Sequence, residues 1–333
     1  MKKIVKLFSV MLLSLSLVAC SGKKEKKDIT VDVYMPDGAP ALALAKLMHD
    51  EYTQDGYKVS YHIVASDTIA SHITNGNADI AIVPTNAAAN LYNKGNDIKI
   101  VSSNTWGLLY MVGNADNTTA ITDLNSLKGE VVGVIGQGQV PDLVFKYILE
   151  ANDIEYVASD TAVAGKVALK YVADGPTMIP LLKTKQLKYG ILGEPAATNS
   201  TVKASTAVVL DIQAAWQEAS NESSSYPQAS LVVKSSFLED HTSFVTAMLD
   251  EIELSSSWIL DNEDKLSDTL KAHGSTTEVT YTDAILQRCN IKLVKGNDMK
   301  VAVTAFLESL HSIVPNSIGG SLPNEDFYYI PQE

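Results

Sequence analysis

The 333-residue chain contains two cysteines, three tryptophans and, among its 26 basic residues, a single arginine, Arg288. Each scarcity excludes something. Two cysteines cannot make a disulfide scaffold, so stability must come from an apolar core, which a 46% hydrophobic composition can supply. One arginine, placed in a late helical stretch that reads as remote from the candidate turns below, leaves no obvious bidentate fork for a carboxylate or sulfonate. The chain has no G-x-S-x-G, no H-E-x-x-H and no cysteine beside a plausible base, so the common hydrolase signatures are missing. Its six histidines are scattered, and His49, His72 and His311 fall on helical patterns where a packing or surface role is expected. Basic residues are outnumbered, and the formal charge of −13 disfavours nucleic acid as a partner.

The chain begins with three lysines in its first six residues, then 13 apolar or serine residues, then Cys20, Ser21 and Gly22. This is the shape of an export signal, and 13 residues are too few to span a bilayer. Leu17, Val18, Ala19 and Cys20 look like a bacterial lipobox, so Cys20 is expected to become a lipidated N-terminus tied to the extracytoplasmic face of the cell membrane. Residues 1–19 are then signal peptide and 20–27, rich in lysine, a tether. Without Lys2, Lys3 and Lys6 the mature chain carries 23 basic against 39 acidic residues, a net −16. Only Cys289 would remain as a thiol.

From residue 29 short runs rich in Val, Ile and Tyr alternate with helical patterns, which predicts α/β architecture with mainly parallel sheets. Ligands of such sheets sit beyond the carboxyl ends of the strands. The residues delivered there are 34–40, Ser66 with Asp67, 84–86 and 104–107, then 136–142, 175–177 and 193–195. The clearest of these turns lies in 131–149, VVGVIGQGQVPDLVFKYIL, where a β-branched run passes through Gly136 and Gly138 into an amphipathic helix headed by Pro141. GQGQVP begins like a dinucleotide fingerprint, but its third glycine is Pro141 and no acidic residue follows in a fitting context. The reading favoured is a small-ligand turn at a helix N-terminus. After Phe237 the pattern reads as almost wholly helical.

Taken in order, the lipobox, MPDGAPALALAKL, NGNADIAIVPTNAAANLY, LKGEVVGVIGQGQVPDLVFKYIL and GPTMIPLLKTKQLKYGILGEPAAT resemble a substrate-binding lipoprotein of a bacterial ABC importer. The group resembled includes the nitrate, sulfonate, taurine and thiamine-pyrimidine-precursor binders. The resemblance implies a type II periplasmic-binding-protein fold, with lobe 1 formed by 28–113 plus 228–333, lobe 2 by 114–227, and hinges near 112–114 and 222–228. It also implies a monomer without cofactor or metal, delivering a small molecule to permease and ATPase subunits. The ligand residues it implies are Tyr34, Asp37, Gly38, Ala39, Thr85, Asn86, Thr105, Trp106, Gly136, Gln137, Gly138, Gln139, Thr177 and Glu194. With arginine missing from those turns, a neutral or heteroaromatic ligand stacked on Trp106 or Tyr34 is expected. The alternatives are a sulfonate or nitrate binder, a cytoplasmic-type enzyme of thiamine-precursor or menaquinone synthesis on the same fold, and an adhesin or sensor.

Overall fold

The computed structural model describes residues 28–331 apart from 55 and 223, so the signal, Cys20 and the tether lie outside the described residues. The first leg of the chain runs β1 (Ile29–Pro36), α1 (Ala39–Leu42), α2 (Ala45–His49), β2 (Thr53–Gln54), β3 (Tyr57–Val64), α3 (Ile69–Thr74), β4 (Ile80–Pro84), α4 (Thr85–Asn93) and β5 (Ile98–Trp106). In β1, Val31, Val33 and Met35 are fully buried while Asp32 and Tyr34 on the other face are not, the period-2 pattern of a strand with one face in the core. β1 pairs in parallel with both β3 and β4, as βαβ alternation requires.

The second leg is contiguous: β6 (Leu109–Gly113), β7 (Val131–Ile135), α5 (Val140–Ala151), β8 (Tyr156–Ala158), β9 (Val167–Val172), α6 (Gly175–Lys183), β10 (Tyr189–Gly193), α7 (Ala196–Ala204), β11 (Ala207–Asp211) and α8 (Ile212–Ser220). These strands form a six-stranded sheet in the order β11-β6-β10-β7-β9-β8. α5 starts as its sequence predicts, with Pro141 in the first turn and Asp142 beside it.

The chain then returns through β12 (Pro227–Lys234), α9 (Ser235–Asp240), α10 (Thr242–Trp258), α11 (Glu263–Ala272), α12 (Asp283–Arg288), β13 (Ile291–Lys295) and α13 (Gly296–Ile313). β12 inserts antiparallel between β4 and β5, completing a seven-stranded sheet ordered β13-β5-β12-β4-β1-β3-β2. β13 is the exception in a C-terminal region expected to be almost wholly helical. It is a five-residue strand, too short for periodicity to reveal, and pairing with β5 makes it one.

The lobe boundary also needs correcting. Residues 109–113 were expected in lobe 1, but β6 pairs along its whole length with β10 and along most of it with β11, so it belongs to the second sheet. The first crossing is therefore Gly107 and Leu108, and the second is 221–226. An aromatic seam joins the lobes beside them: Trp216 packs edge-on to Tyr226 at 5.2 Å, and Tyr226 stacks on Phe306 of α13 at 5.5 Å. The largest apolar cluster runs through residues of both sheets.

Candidate functional site

Between the sheets lies a cleft of about 1200 Å³, walled by strand-end turns from both lobes. Lobe 1 contributes 36–40, 63–67, Pro84, Gln228 with Ala229, Gly274 and 276–278. Lobe 2 contributes Leu109, 135–137, 139–141, 171–176, Ile179 with Pro180, 193–196, Asn199 and Lys203, and Leu108 of the first crossing completes the wall. Seven of the chain's 11 prolines stand here, giving a stiff and mostly apolar surface. Five carboxylates line it, Asp37, Asp67, Asp174, Glu194 and Glu278, against one cation, Lys203.

Most of those charges already have work within the protein. Asp174 Oδ1 accepts from Thr177 N at the start of α6. Glu194, 3% exposed, accepts from Thr198 N and Thr198 Oγ1 in the first turn of α7. Asp142, 1% exposed behind the β7–α5 turn, accepts from Gly138 N, Lys146 Nζ and Tyr171 Oη. On lobe 1, Asp37 accepts from Gly38 N, Ser275 Oγ, Thr276 N, Thr276 Oγ1 and Thr277 N, and so fixes a loop that lies 238–240 residues away in sequence. A helix N-terminus attracts an anion because its first amides lack partners. At α6, α7 and the turn before α5 the chain's own carboxylates have filled that role.

Two glycines shape the walls. Gly136 has φ +65°, the left-handed turn that brings β7 into α5. Gly274 has φ +105°, and a Cβ there would meet the Ile63 carbonyl at 2.8 Å, so only glycine lets the 274–278 loop lie against the end of β3.

Of the residues expected to hold a ligand, Asp37, Gly38, Ala39, Gly136, Gln137, Gln139 and Glu194 stand on the cleft wall. The others do not. Trp106 is turned away, because its Nε1 donates to the Lys292 carbonyl at 2.8 Å and its ring is only 7% exposed. Tyr34 stacks between His62 and His72, at 4.4 and 4.2 Å, on the opposite face of β1 from Val33 and Met35. Thr85 is fully buried on Ser230 Oγ, Thr105 is fully buried in β5, and exposed Thr177 serves as the donor that Asp174 caps. Asn86 and Gly138 meet each other instead, Asn86 Nδ2 donating to the Gly138 carbonyl at 3.1 Å. Stacking on Trp106 or Tyr34 is therefore excluded by where those rings lie. Tyr171 is the one aromatic side chain among the lining residues, and its Oη is committed to Asp142.

Arg288 also departs from expectation. It was read as remote, yet its Nη2 lies 2.7 Å from Glu194 Oε1, with its guanidinium 4.0 Å from the Tyr110 ring centroid. The contact is one of charge, since neither Nη2 nor Nε makes an aligned hydrogen bond. It links α12 of lobe 1 to lobe 2 behind the cleft. At the rim, Ser66 Oγ donates to Gln139 Oε1 at 3.3 Å and Asn199 Nδ2 to the Glu278 carbonyl at 3.0 Å. These ties bring the lobes into contact around the cleft.

Sequence reasoning missed Tyr171, Gln228 and the 274–278 loop. Tyr171 was findable, because it is the penultimate residue of β9 and the strand-end rule reaches it. Gln228 opens a returning strand, and the loop follows a helix, so neither carried a signal.

No family model and no curated protein matches the chain. Solved structures do. An ABC transporter protein from Parabacteroides distasonis superposes with a TM-score of 0.73 at 24% identity, covering 92% of this chain and 100% of that one. The fold is that of the periplasmic binding proteins. Further neighbours with this fold are the periplasmic aliphatic sulphonate binding protein of Escherichia coli, with a TM-score of 0.63, 12% identity and coverage of 87% and 95%, and a zinc-bound ligand-binding component of an ABC-type import system from Staphylococcus aureus, at 0.62, 13%, 91% and 96%. In the periplasmic-binding-protein fold of this chain, the cleft between the two sheets is where ligands of open α/β sheets belong. No described helix is long and apolar enough to cross a membrane.

Proposed function

We propose that this protein is an extracytoplasmic solute-binding lipoprotein, anchored through Cys20, that captures a small neutral metabolite and delivers it to an ABC importer. One observation carries the choice of ligand charge. On lobe 2 one amide in the first turn of α6, one in the first turn of α7 and one in the turn before α5 already donate to Asp174, Glu194 and Asp142, and the sole arginine is paired with Glu194. An anion brought into this cleft would lose its hydration and meet five carboxylates against a single lysine, so the net charge of the wall opposes it. Sulfonate binding, which the Escherichia coli neighbour's name carries, would have to compete with carboxylates already seated at these turns.

The reading is of a binding protein rather than an enzyme. Cys289 is fully buried, and burial pushes its thiol well above the usual range, so it is a packing residue and not a nucleophile. A thermal-shift panel tests the proposal, since a ligand that binds only the folded state raises the melting temperature. Neutral amides and heterocycles are expected to raise it and alkanesulfonates to leave it unchanged. A salt-sensitive rise with sulfonates alone would overturn the neutral reading.

A further inference from the structure

Gln228 occupies an unusual position in β12. Pro227 is opposite Trp106 of β5 and Ala229 is opposite Thr105, so Gln228 is the extra residue of a bulge. A bulge leaves one residue out of the ladder and re-aims its side chain, and bulges concentrate beside functional sites. Here the bulged residue lies on the cleft wall where the second crossing enters lobe 1. Its Oε1 is buried and has no hydrogen-bond partner. Two hydroxyls near it, Thr105 Oγ1 and Ser225 Oγ, are also buried without partners but lie off the cleft wall, whereas Thr85 and Ser103 share Ser230 Oγ, Asp37 holds the 275–277 loop, and Glu194 holds α7. A buried acceptor left unpaired costs stability, and of the buried unpartnered side-chain atoms this is the one on a cleft-wall residue, where a donor from outside the chain can satisfy it.

We infer that Gln228 is the specificity-determining residue of the cleft and that the ligand is a neutral molecule donating an N–H hydrogen bond to Gln228 Oε1, as a primary or secondary amide, lactam or pyrimidinone does. This rests on the neutral reading above and narrows it. The rest of the wall, mostly apolar and stiffened by proline, selects shape, while its one buried unpaired side-chain acceptor selects chemistry. A site built around a hydrogen bond rejects an analogue that lacks the donor, because the protein group is then buried without a partner. An N-methylated analogue of the same size would fill the cleft and still leave Gln228 unpaired.

The test uses matched probe pairs: valerolactam with its N-methyl derivative, and uracil with dimethyluracil, with methanesulfonate as the anion. Binding is followed by chemical-shift changes at the Gly136 and Gly274 amides, on opposite walls of the cleft. The wild-type protein is expected to prefer each N–H member over its N-methyl partner by about tenfold or more. Gln228→Leu should bring that ratio close to one with an unchanged or higher melting temperature, because it removes an unsatisfied acceptor, and Gln228→Glu, which keeps an acceptor, should restore the preference. Lack of discrimination by the wild type, a ratio unchanged in Gln228→Leu, or N–H members that leave both amides unmoved would each overturn the inference. Neutral probes that bind without preference would defeat the role of Gln228 alone. Methanesulfonate binding while the neutral probes stay silent would defeat the neutral reading itself.

Discussion

The two walls of the cleft are built in different ways. Lobe 2 is one continuous stretch, and the ties that shape its turns are short in sequence: Asp142 to Gly138, Asp174 to Thr177 and Glu194 to Thr198 span three or four residues each. Lobe 1 is assembled from both ends of the chain, and its ties are long. Asp37 holds residues up to 240 positions away, and Asn86 Nδ2 donates to the Ser317 carbonyl 231 positions away. The difference teaches where recognition can reside. Local ties on lobe 2 seat a carboxylate at each of these turns, while the returning strand of lobe 1 brings in a residue, Gln228, whose acceptor nothing in the fold satisfies.

Three substitutions probe that contrast, the largest effect first. Asp142→Ala removes a carboxylate that is 1% exposed and strands the Lys146 ammonium, so we expect a loss of about 3 kcal/mol or more in denaturant unfolding. Hydrogen exchange should rise only in neighbouring parts of lobe 2, near 131–151 and Tyr171. Asp37→Ala deprives five donors of their acceptor and should cost about 2 kcal/mol. Exchange should then rise in two distant stretches together, 36–42 and 274–278. Protection lost around residue 37 alone would break the contrast between local and long-range ties.

The smallest effect concerns pH. Asp79 joins three segments of lobe 1, its Oδ2 accepting from Asp32 N and its carbonyl from Lys234 N. Burial, opposed in part by the Asp32 N–H and aided by the Asp32 charge, holds its carboxyl above the ordinary 3.8. A raised folded value means that the folded state binds its proton more tightly than the unfolded state. Asp79 therefore opposes folding above that window, and its penalty fades as pH falls through the raised value toward 3.8. Asp79→Asn should raise the melting temperature slightly at neutral pH and lose that advantage in acid. An equal gain at both pH values would show that charge is not the cause.

Much of the architecture was legible because its signals are local. Val131–Ile135 followed by Gly136 and Pro141 dictates strand, turn and helix without help from the rest of the chain. The alternation of such units indicated two α/β sheets, and the strand-end rule placed Asp37, Gly136, Gln139 and Glu194 on the wall observed. What failed depended on side-chain direction or on distant pairing. Trp106 ends a strand as expected, but the carbonyl of Lys292, 186 residues on, captures its indole. Arg288 looked remote in sequence and reaches Glu194 where the turn after α12 is tied to the first crossing, Asn290 Nδ2 donating to the Gly107 carbonyl. The bulge at Gln228 exists only in register with β5, so no pattern within β12 announces it.

Whether Gln228 selects a neutral N–H donor is decided by native mass spectrometry of the protein purified under non-denaturing conditions from the cells that make it, followed by release and identification of the bound molecule. The bound molecule should be a neutral compound bearing an amide-type N–H, retained by the wild type and lost from Gln228→Leu. A sulfonate or carboxylate bound equally by both would contradict it.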